Sequence, residues 1–230
     1  MPAKRRDQRE QEVATSERLL DTAERLFAEF GFDGVGMRAL ADEAGVNLGA
    51  TTYHYGSKEK LYVETFMRRF RPTNAARLEM LQRAEKLAEG RPLAVETIVE
   101  CMLRPPFMTV LKYPNFPGLL ARNLFMPPAF LRAELEKEQG MALQIFAVAL
   151  AKALPQLDPQ ILQLRLIFGG GSLLMVAGQM TRLGLRESPT HCEATLGALI
   201  QFISAGLRAE SPTIPGLELP KFTAPRSRRH

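Results

Sequence analysis

The sequence contains few of the residues from which catalytic, metal and disulfide sites are built. Its 230 residues include two cysteines and three histidines, and no tryptophan. Cys101 and Cys192 are far apart, so they form no Cys-x-x-Cys pair, metal-ligand spacing or disulfide framework. We find no paired carboxylates and no nucleophile motif around Ser172. These absences predict a protein that is not an enzyme, with no cofactor and no metal.

Long hydrophobic segments are also missing. The longest uncharged run, 166–181, includes three consecutive glycines and is shorter than the roughly 20 apolar residues that cross a bilayer. Residues 1–14 are polar and charged, without the apolar centre of a secretory signal. We therefore expect a cytoplasmic protein that has no membrane partner. Because 46% of its residues are hydrophobic, the chain can bury a core, and this excludes a protein that is disordered as a whole.

The net charge of +5 suggests a polyanionic partner, but its distribution weakens that argument. The first 62 residues contain 9 Lys and Arg against 11 Asp and Glu. Basicity therefore does not locate a nucleic-acid site, and any such site must depend on a local arrangement of cations.

Helical periodicity recurs along nearly the whole chain, and strand-like alternation is nearly absent. The pattern predicts an all-α fold: an N-terminal three-helix head and a larger helical body. Pro72 is expected to end or kink the helix that starts at Lys58. We divide the chain into a flexible basic and polar arm, a helix-turn-helix head, a helical ligand-binding and dimerisation body, and a Pro/Arg-rich tail, at 1–14, 15–62, 63–209 and 210–230. Helices of the body are predicted near 74–89, 92–112, 116–125, 129–153, 159–184 and 191–209.

The segment from Met37 to Tyr55 fits two short helices joined by a tight turn. Ala41 allows the helices to approach each other, and Gly45 supplies the turn. The second helix then presents small and polar side chains, which suit the major groove of DNA. Two ordinary core helices with solvated polar residues would give the same bare pattern, so the flanking residues must decide.

Residues 44–61 read A-G-V-N-L-G-A-T-T-Y-H-Y-G-S-K-E-K-L. This segment resembles the tetracycline-repressor (TetR) family of bacterial transcriptional regulators, whose pattern is A-G-V-S-x-G-x-x-Y-x-H-F-x-x-K-x-x-L. The likeness is close over about residues 15–62. Thr52 stands where many members have a phosphate-contacting Tyr, and Tyr53 follows one place later. A branch that reads N-L-(G/A)-A-V-N-Y-H-F-G-S-K is more similar.

The resemblance implies a DNA-binding surface on the second short helix and beside it. By it, Tyr53, His54 and Lys58 would contact phosphates. The residues implied to face the groove or its rim are Arg38, Asn47, Ala50, Thr51 and Thr52, and Leu48 and Gly49 complete the surface. The implied partner is a palindromic double-stranded DNA operator.

The body is rich in Met and Phe, which suits both a helical core and a pocket for a flexible apolar ligand. Polar residues within it are candidates for orienting such a ligand, although Arg122 would also fit a surface or interhelix ion pair. The ligand-binding candidates are Arg104, Met108, Arg122, Asn123, Met126, Phe146, Phe168, Met175 and Gln179.

The last two long helices resemble the dimerisation pair of the family, with small residues that permit close helix contact. The resemblance therefore implies a homodimeric repressor that a hydrophobic or amphiphilic small molecule releases from DNA. The branch it resembles includes sensors of long-chain fatty acids or their CoA thioesters. The alternative is a helical lipid-binding or scaffolding protein without DNA binding.

Overall fold

The structure is a computed structural model that describes residues 2–211 together with Ile214, Gly216 and Leu219; the side chains of residues 2–12, Ala50 and Phe125 lie outside the description. The described residues form helices and turns and no strand, which confirms the all-α prediction. The helices are α1 (Pro2–Phe30), α2 (Met37–Ala44), α3 (Leu48–Tyr55), α4 (Lys58–Ala88), α5 (Val95–Lys112), α6 (Phe116–Phe125), α7 (Ala129–Ala153), α8 (Pro159–Gly178) and α9 (Pro189–Arg208).

Side-chain caps explain where several of these helices begin. The Asp158 carboxylate accepts hydrogen bonds from the amides of Gln160 and Ile161 and caps α8, and Ser188 caps α9 through the amide of His191. Both helices have proline at the first position, where no intrahelical amide bond is lost. The local sequence is thus sufficient to start α8 and α9 where the structure starts them.

Two predicted helix boundaries are wrong. The helix that begins at Lys58 does not stop near Pro72 but continues to Ala88, because buried residues on both sides of the proline, such as Phe70 and Leu81, hold it in place. The helix that starts at Pro159 ends at Gly178, and the residues up to 184 form turns instead.

The chain divides into two compact units. The first contains Met1–Phe70 and Pro114–Arg132, and the second contains Arg71–Tyr113 and Ala133–His230. Large side chains that are fully buried form the core of each: Phe27, Leu40, Leu61, Phe66 and Leu119 in the first unit, and Ile98, Leu103, Phe107, Phe146 and Leu196 in the second.

This division differs from the boundaries expected from the sequence. The first unit extends beyond residue 62 and takes in α6, which packs against α1. Residues 2–14 of the predicted arm form the first part of α1, which begins at Pro2. Most of the predicted tail, 210–230, lies outside the described residues.

By length and composition, one helix in the described part of the chain, α8, is apolar enough to cross a membrane. Within the described part of the chain α8 packs against α5 and α9 and buries Ile161, Leu162 and Leu166, whereas Phe168 and Met175 are exposed.

Candidate nucleic-acid interface

The turn between α2 and α3 depends on one glycine. Gly45 has a φ of 64° and a ψ of 38°, the left-handed conformation that ends α2, and the amide of Val46 bonds back to the carbonyl of Ala41 over 2.9 Å. Leu40 and Ala41 are fully buried beneath the turn. The chain therefore reverses compactly, and α3 starts at Leu48, three residues after Gly45.

Asn47 fixes the start of α3. Its Oδ1 accepts a hydrogen bond from the amide of Gly49 over 2.7 Å, so the side chain is the N-cap of the helix. A Cβ at Gly49 would lie 3.1 Å from that Oδ1, tighter than ordinary contact, so the small residue protects the cap. Asn47 is exposed, and its side-chain NH2 group has no hydrogen-bond acceptor among the described residues.

Three consecutive residues of α3 form its solvent-facing side. Thr52, Tyr53 and His54 are all exposed, and Tyr53 is 86% exposed. The Tyr53 and His54 rings meet edge to face with centroids 5.5 Å apart, while the Thr52 hydroxyl donates to the Leu48 carbonyl. The Tyr53 hydroxyl has no hydrogen-bond partner in the described structure. Such an aromatic hydroxyl on a helix surface is free to donate to a phosphate.

Thr51 does not belong to this surface, which corrects its predicted place at the groove. It is 2% exposed, and its hydroxyl donates to the Asn47 carbonyl over 3.1 Å. Helical geometry explains the difference, because 48, 51 and 55 share one face, and that face packs inward. Leu48 and Tyr55 on it are half-buried, and the Tyr55 hydroxyl bonds to Ser16 over 2.6 Å. The side chain of Ala50 lies outside the described residues.

Cations flank α3 on both sides. Arg38 on α2 is exposed and forms no ion pair in the part of the chain described. Lys58, the first residue of α4, is half-buried, and its Nζ lies 4.2 Å from the centroid of the Phe32 ring. The ring holds the ammonium without neutralising it, so its charge stays available to an anion.

Several acids of the head face its own arginines. Glu24, only 3% exposed, accepts hydrogen bonds from Arg68 and Arg69, and Asp21 pairs with both arginines. Glu43 pairs with Arg25. The excess of acids over residues 1–62 is therefore partly neutralised within the fold, whereas the exposed Glu59 lies beside His54 and Tyr55 of α3.

The comparisons match this architecture in sequence and in structure. Residues 19–65 match the family model for bacterial regulatory proteins of the tetR family, and residues 100–206 match the tetracyclin repressor-like C-terminal domain. The chain belongs to the TetR family of regulators. Two models from one family, in their proper order along the chain, decide the assignment.

The individual relatives resemble this chain either over a short segment or at low sequence identity. The chain is 39% identical over 51 residues to the HTH-type transcriptional repressor AcnR of Corynebacterium efficiens, covering 22% of this chain and only 27% of that repressor's length. A TetR-like transcriptional regulator from Rhodococcus sp. RHA1 is 20% identical with a TM-score of 0.58, over 84% of this chain and 93% of that one. FadR from Bacillus subtilis, solved with stearoyl-CoA, is 16% identical with a TM-score of 0.58, over 83% and 98%. At these identities the solved structures show the shared TetR fold alone.

The predicted effector residues belong to both units, with Arg122, Asn123 and Met126 in the first and the other candidates in the second. Arg104 pairs with Glu100 and Glu193, and the hydrogen bonds that it donates to Glu193 are the main reason why the pKa of Arg104 rises above its usual value. Arg122 donates to the Ala28 and Glu29 carbonyls at the end of α1. These contacts occupy part of each guanidinium with protein partners, and the predicted ligand-orienting role of both arginines stays a prediction.

The remaining effector candidates also scatter. Asn123 is fully buried and accepts from the Tyr62 hydroxyl over 3.1 Å, so it is a structural residue of the first unit. Phe146 is fully buried, and Met108 and Gln179 are half-buried. Met126, Phe168 and Met175 are 84%, 61% and 69% exposed, which removes them from any enclosed pocket of the isolated chain. No group of three or more potential metal ligands occurs among the described residues.

A groove lies between α8 and α9, with a volume of about 350 Å³. Phe168 of α8 and Phe202 of α9 line it, and Phe202 is 67% exposed. Gly206 also lines it and has open space where a Cβ would be, whereas a Cβ at Gly169 would lie 3.3 Å from Ile203. The helix pair that the sequence assigns to dimerisation thus presents an apolar groove to solvent.

Proposed function

We propose that this protein is a homodimeric, ligand-responsive transcriptional regulator that binds a palindromic DNA operator through α3. The observation that carries the proposal is the exposed Tyr53 hydroxyl, without a protein partner, on a short helix capped by Asn47 and flanked by cations. Helix-turn-helix proteins place such a helix in the major groove. The site implies residence in the cytoplasm, where bacterial DNA lies.

Dimerisation is proposed through α8 and α9. The exposed Phe168 and Phe202 rings form an apolar patch that a second copy of the chain would cover by two-fold symmetry. A symmetric dimer is what a palindromic operator requires, because two reading helices must lie about 34–36 Å apart to enter successive major grooves.

Regulation is proposed to be repression relieved by a hydrophobic or amphiphilic effector. A ligand that binds more tightly to a dimer conformation with a different spacing of the heads lowers operator affinity by that difference. The solved FadR complex holds stearoyl-CoA. It supports a long-chain fatty acid or acyl-CoA as the candidate class of effector for this chain.

The test of DNA binding uses two tyrosines on one helix. An operator is first selected with the wild-type protein from random duplexes, and its dissociation constant is then measured for Tyr53→Phe and Tyr55→Phe. Tyr53→Phe removes only a free hydroxyl, so folding is unchanged. A hydrogen bond to a charged group contributes about 1.5–3 kcal/mol, so we expect affinity to fall at least about 10-fold.

Tyr55→Phe is the matched control, since it removes the bond to Ser16 and costs about 1 kcal/mol of stability without touching DNA. Equal affinity of wild type and Tyr53→Phe for the selected operator would refute the assignment of this face. Failure to select any duplex would favour the lipid-binding or scaffolding alternative.

A further inference from the structure

Arg77, on α4, is a half-buried cation without a counter-charge among the described residues. Its Nη1 donates to the Asn74 side-chain oxygen over 2.9 Å, and its guanidinium carbon lies 5.1 Å from the centroid of the Phe146 ring. Its Nε is screened from solvent and has no hydrogen-bond partner. Among the described residues, no carboxylate forms an ion pair with it.

Other arginines of α4 differ in this respect. Arg68, Arg69, Arg71 and Arg83 each pair with at least one carboxylate, and Arg83 is largely exposed. Of the arginines on α4, Arg77 is the one without a carboxylate partner in the described part of the chain. Arg77 is the exception that needs a physical explanation.

Burying an unpaired cation is unfavourable, and proteins normally supply a partner. Burial alone lowers the pKa of Arg77 to about 10, which leaves the guanidinium charged at neutral pH. The Phe146 ring and one amide oxygen solvate that charge only in part. The Nε donor in particular remains without an acceptor.

The surroundings restrict what could complete the site. Asn74 is 4% exposed, and its Nδ2 group donates to the Glu138 carbonyl over 3.3 Å, which turns its oxygen towards Arg77. Phe146 is fully buried on the other side of the guanidinium. The site therefore combines one cation with an aromatic wall, and the carboxylate of the neighbouring Glu138 lies 3.8 Å from the Nε of Arg71.

We propose that Arg77 binds the anionic group, a carboxylate or a phosphate, of an otherwise apolar effector in the second unit. An oxyanion at the free Nε would supply the missing acceptor and the missing charge together. The proposal rests on the ligand-responsive part of the proposed function, and it is independent of how α3 contacts DNA. It differs from the sequence prediction, which assigned this role to Arg104 and Arg122.

The test measures binding to the full-length protein in the absence of DNA. Dodecanoate, dodecyl phosphate, 1-dodecanol and inorganic phosphate are titrated by calorimetry, each below the concentration at which it aggregates. We expect wild type to bind both anionic amphiphiles at least 10-fold more tightly than dodecanol. Arg77→Gln should lose that preference, Arg77→Lys should keep part of it, and Arg83→Gln, on the same helix but exposed, should keep all of it.

Equal affinity of wild type for dodecanoate and dodecanol would overturn the proposal, as would an unchanged preference in Arg77→Gln. If inorganic phosphate binds as tightly as dodecyl phosphate, the apolar chain contributes nothing to binding, and the proposal of an otherwise apolar effector is overturned. Circular dichroism checks folding, and if Arg77→Gln does not fold, Arg77→Met provides the neutral variant. The operator affinity of Arg77→Gln is also measured without amphiphile, to separate this proposal from the proposed DNA-binding function. If the variant loses the preference for anionic amphiphiles but binds the operator as wild type does, the change affects ligand binding at Arg77 and not DNA binding.

Discussion

Gly206 allows the proposed dimer interface to be tested by a substitution whose effect should have opposite signs on folding and on association. It lies on α9 and lines the groove between α8 and α9, and nothing in the same chain lies within 4 Å of an added Cβ. In the isolated chain, Gly206→Ala should therefore be favourable. Gly140, inside α7, also has open space at the Cβ position and is outside the groove, so it is the matched control.

The expected magnitudes follow from helix propensity and from packing. Alanine is about 0.8–1.0 kcal/mol more favourable than glycine inside a helix, so Gly140→Ala should raise the Tm by about 2–4 °C in a chain of this size. At Gly206 the same gain applies to the monomer. If a second copy fills the groove, however, overpacking costs about 1–3 kcal/mol, which corresponds to about a 5- to 150-fold weaker dimer.

The assay is the dimer dissociation constant from sedimentation equilibrium, together with thermal unfolding followed by circular dichroism. Gly140→Ala should change the Tm and leave the dissociation constant unaltered. Gly206→Ala should weaken the dimer and, at low protein concentration, lower its Tm. If Gly206→Ala behaves like Gly140→Ala in both measurements, the groove is not the dimer interface and our reasoning is refuted.

Two further predictions concern Thr51 and Glu96. Thr51→Val should leave operator affinity within about 3-fold of wild type because the side chain is buried. Thr52→Val, on the exposed face, should reduce the binding free energy by about 1–3 kcal/mol if its hydroxyl contacts a base. Gel-shift titration measures both affinities, and a large loss for Thr51→Val alone would contradict the burial argument. The Arg208 guanidinium lowers the pKa of Glu96 to about 2, so the pair stabilises the fold above about pH 4.5 and the effect disappears as pH falls towards 2. The Tm difference between wild type and Glu96→Gln should shrink over that interval, and a constant difference would show that the pair does not act through titration.

Local sequence patterns predicted the helices of the head well. Gly45 and Asn47 determine the turn and the start of α3 by conformational and capping preferences that act within a few residues. The inward position of Thr51 could also have been read from the sequence, because it lies three residues after Leu48 on the same helical face. Threonine is polar and was therefore expected to be exposed, but its hydroxyl donates a hydrogen bond to the helix backbone, which allows the side chain to be buried.

Contacts between distant parts of the chain could not be predicted in the same way. The sequence offered Arg122 either as a ligand contact or as an interhelix ion pair, and the structure shows it donating to the carbonyls at the end of α1, a contact across more than ninety residues. Arg77 carried a recognisable signal: it continues a helical stripe with Phe70, Asn74 and Leu81, all of which are buried. The periodicity predicts a buried face at Arg77 but says nothing of whether an acid lies opposite.

The membership of α6 in the first unit has a practical consequence for protein engineering. Phe116 and Leu119 are buried there, and Arg122 satisfies carbonyls of α1, so the head is assembled from two segments of chain. A fragment that ends at Phe70 would expose apolar surface and lose those bonds. Chimeric regulators that exchange operator specificity should therefore transplant Pro114–Arg132 together with the N-terminal segment, or exchange only the exposed side chains of α3.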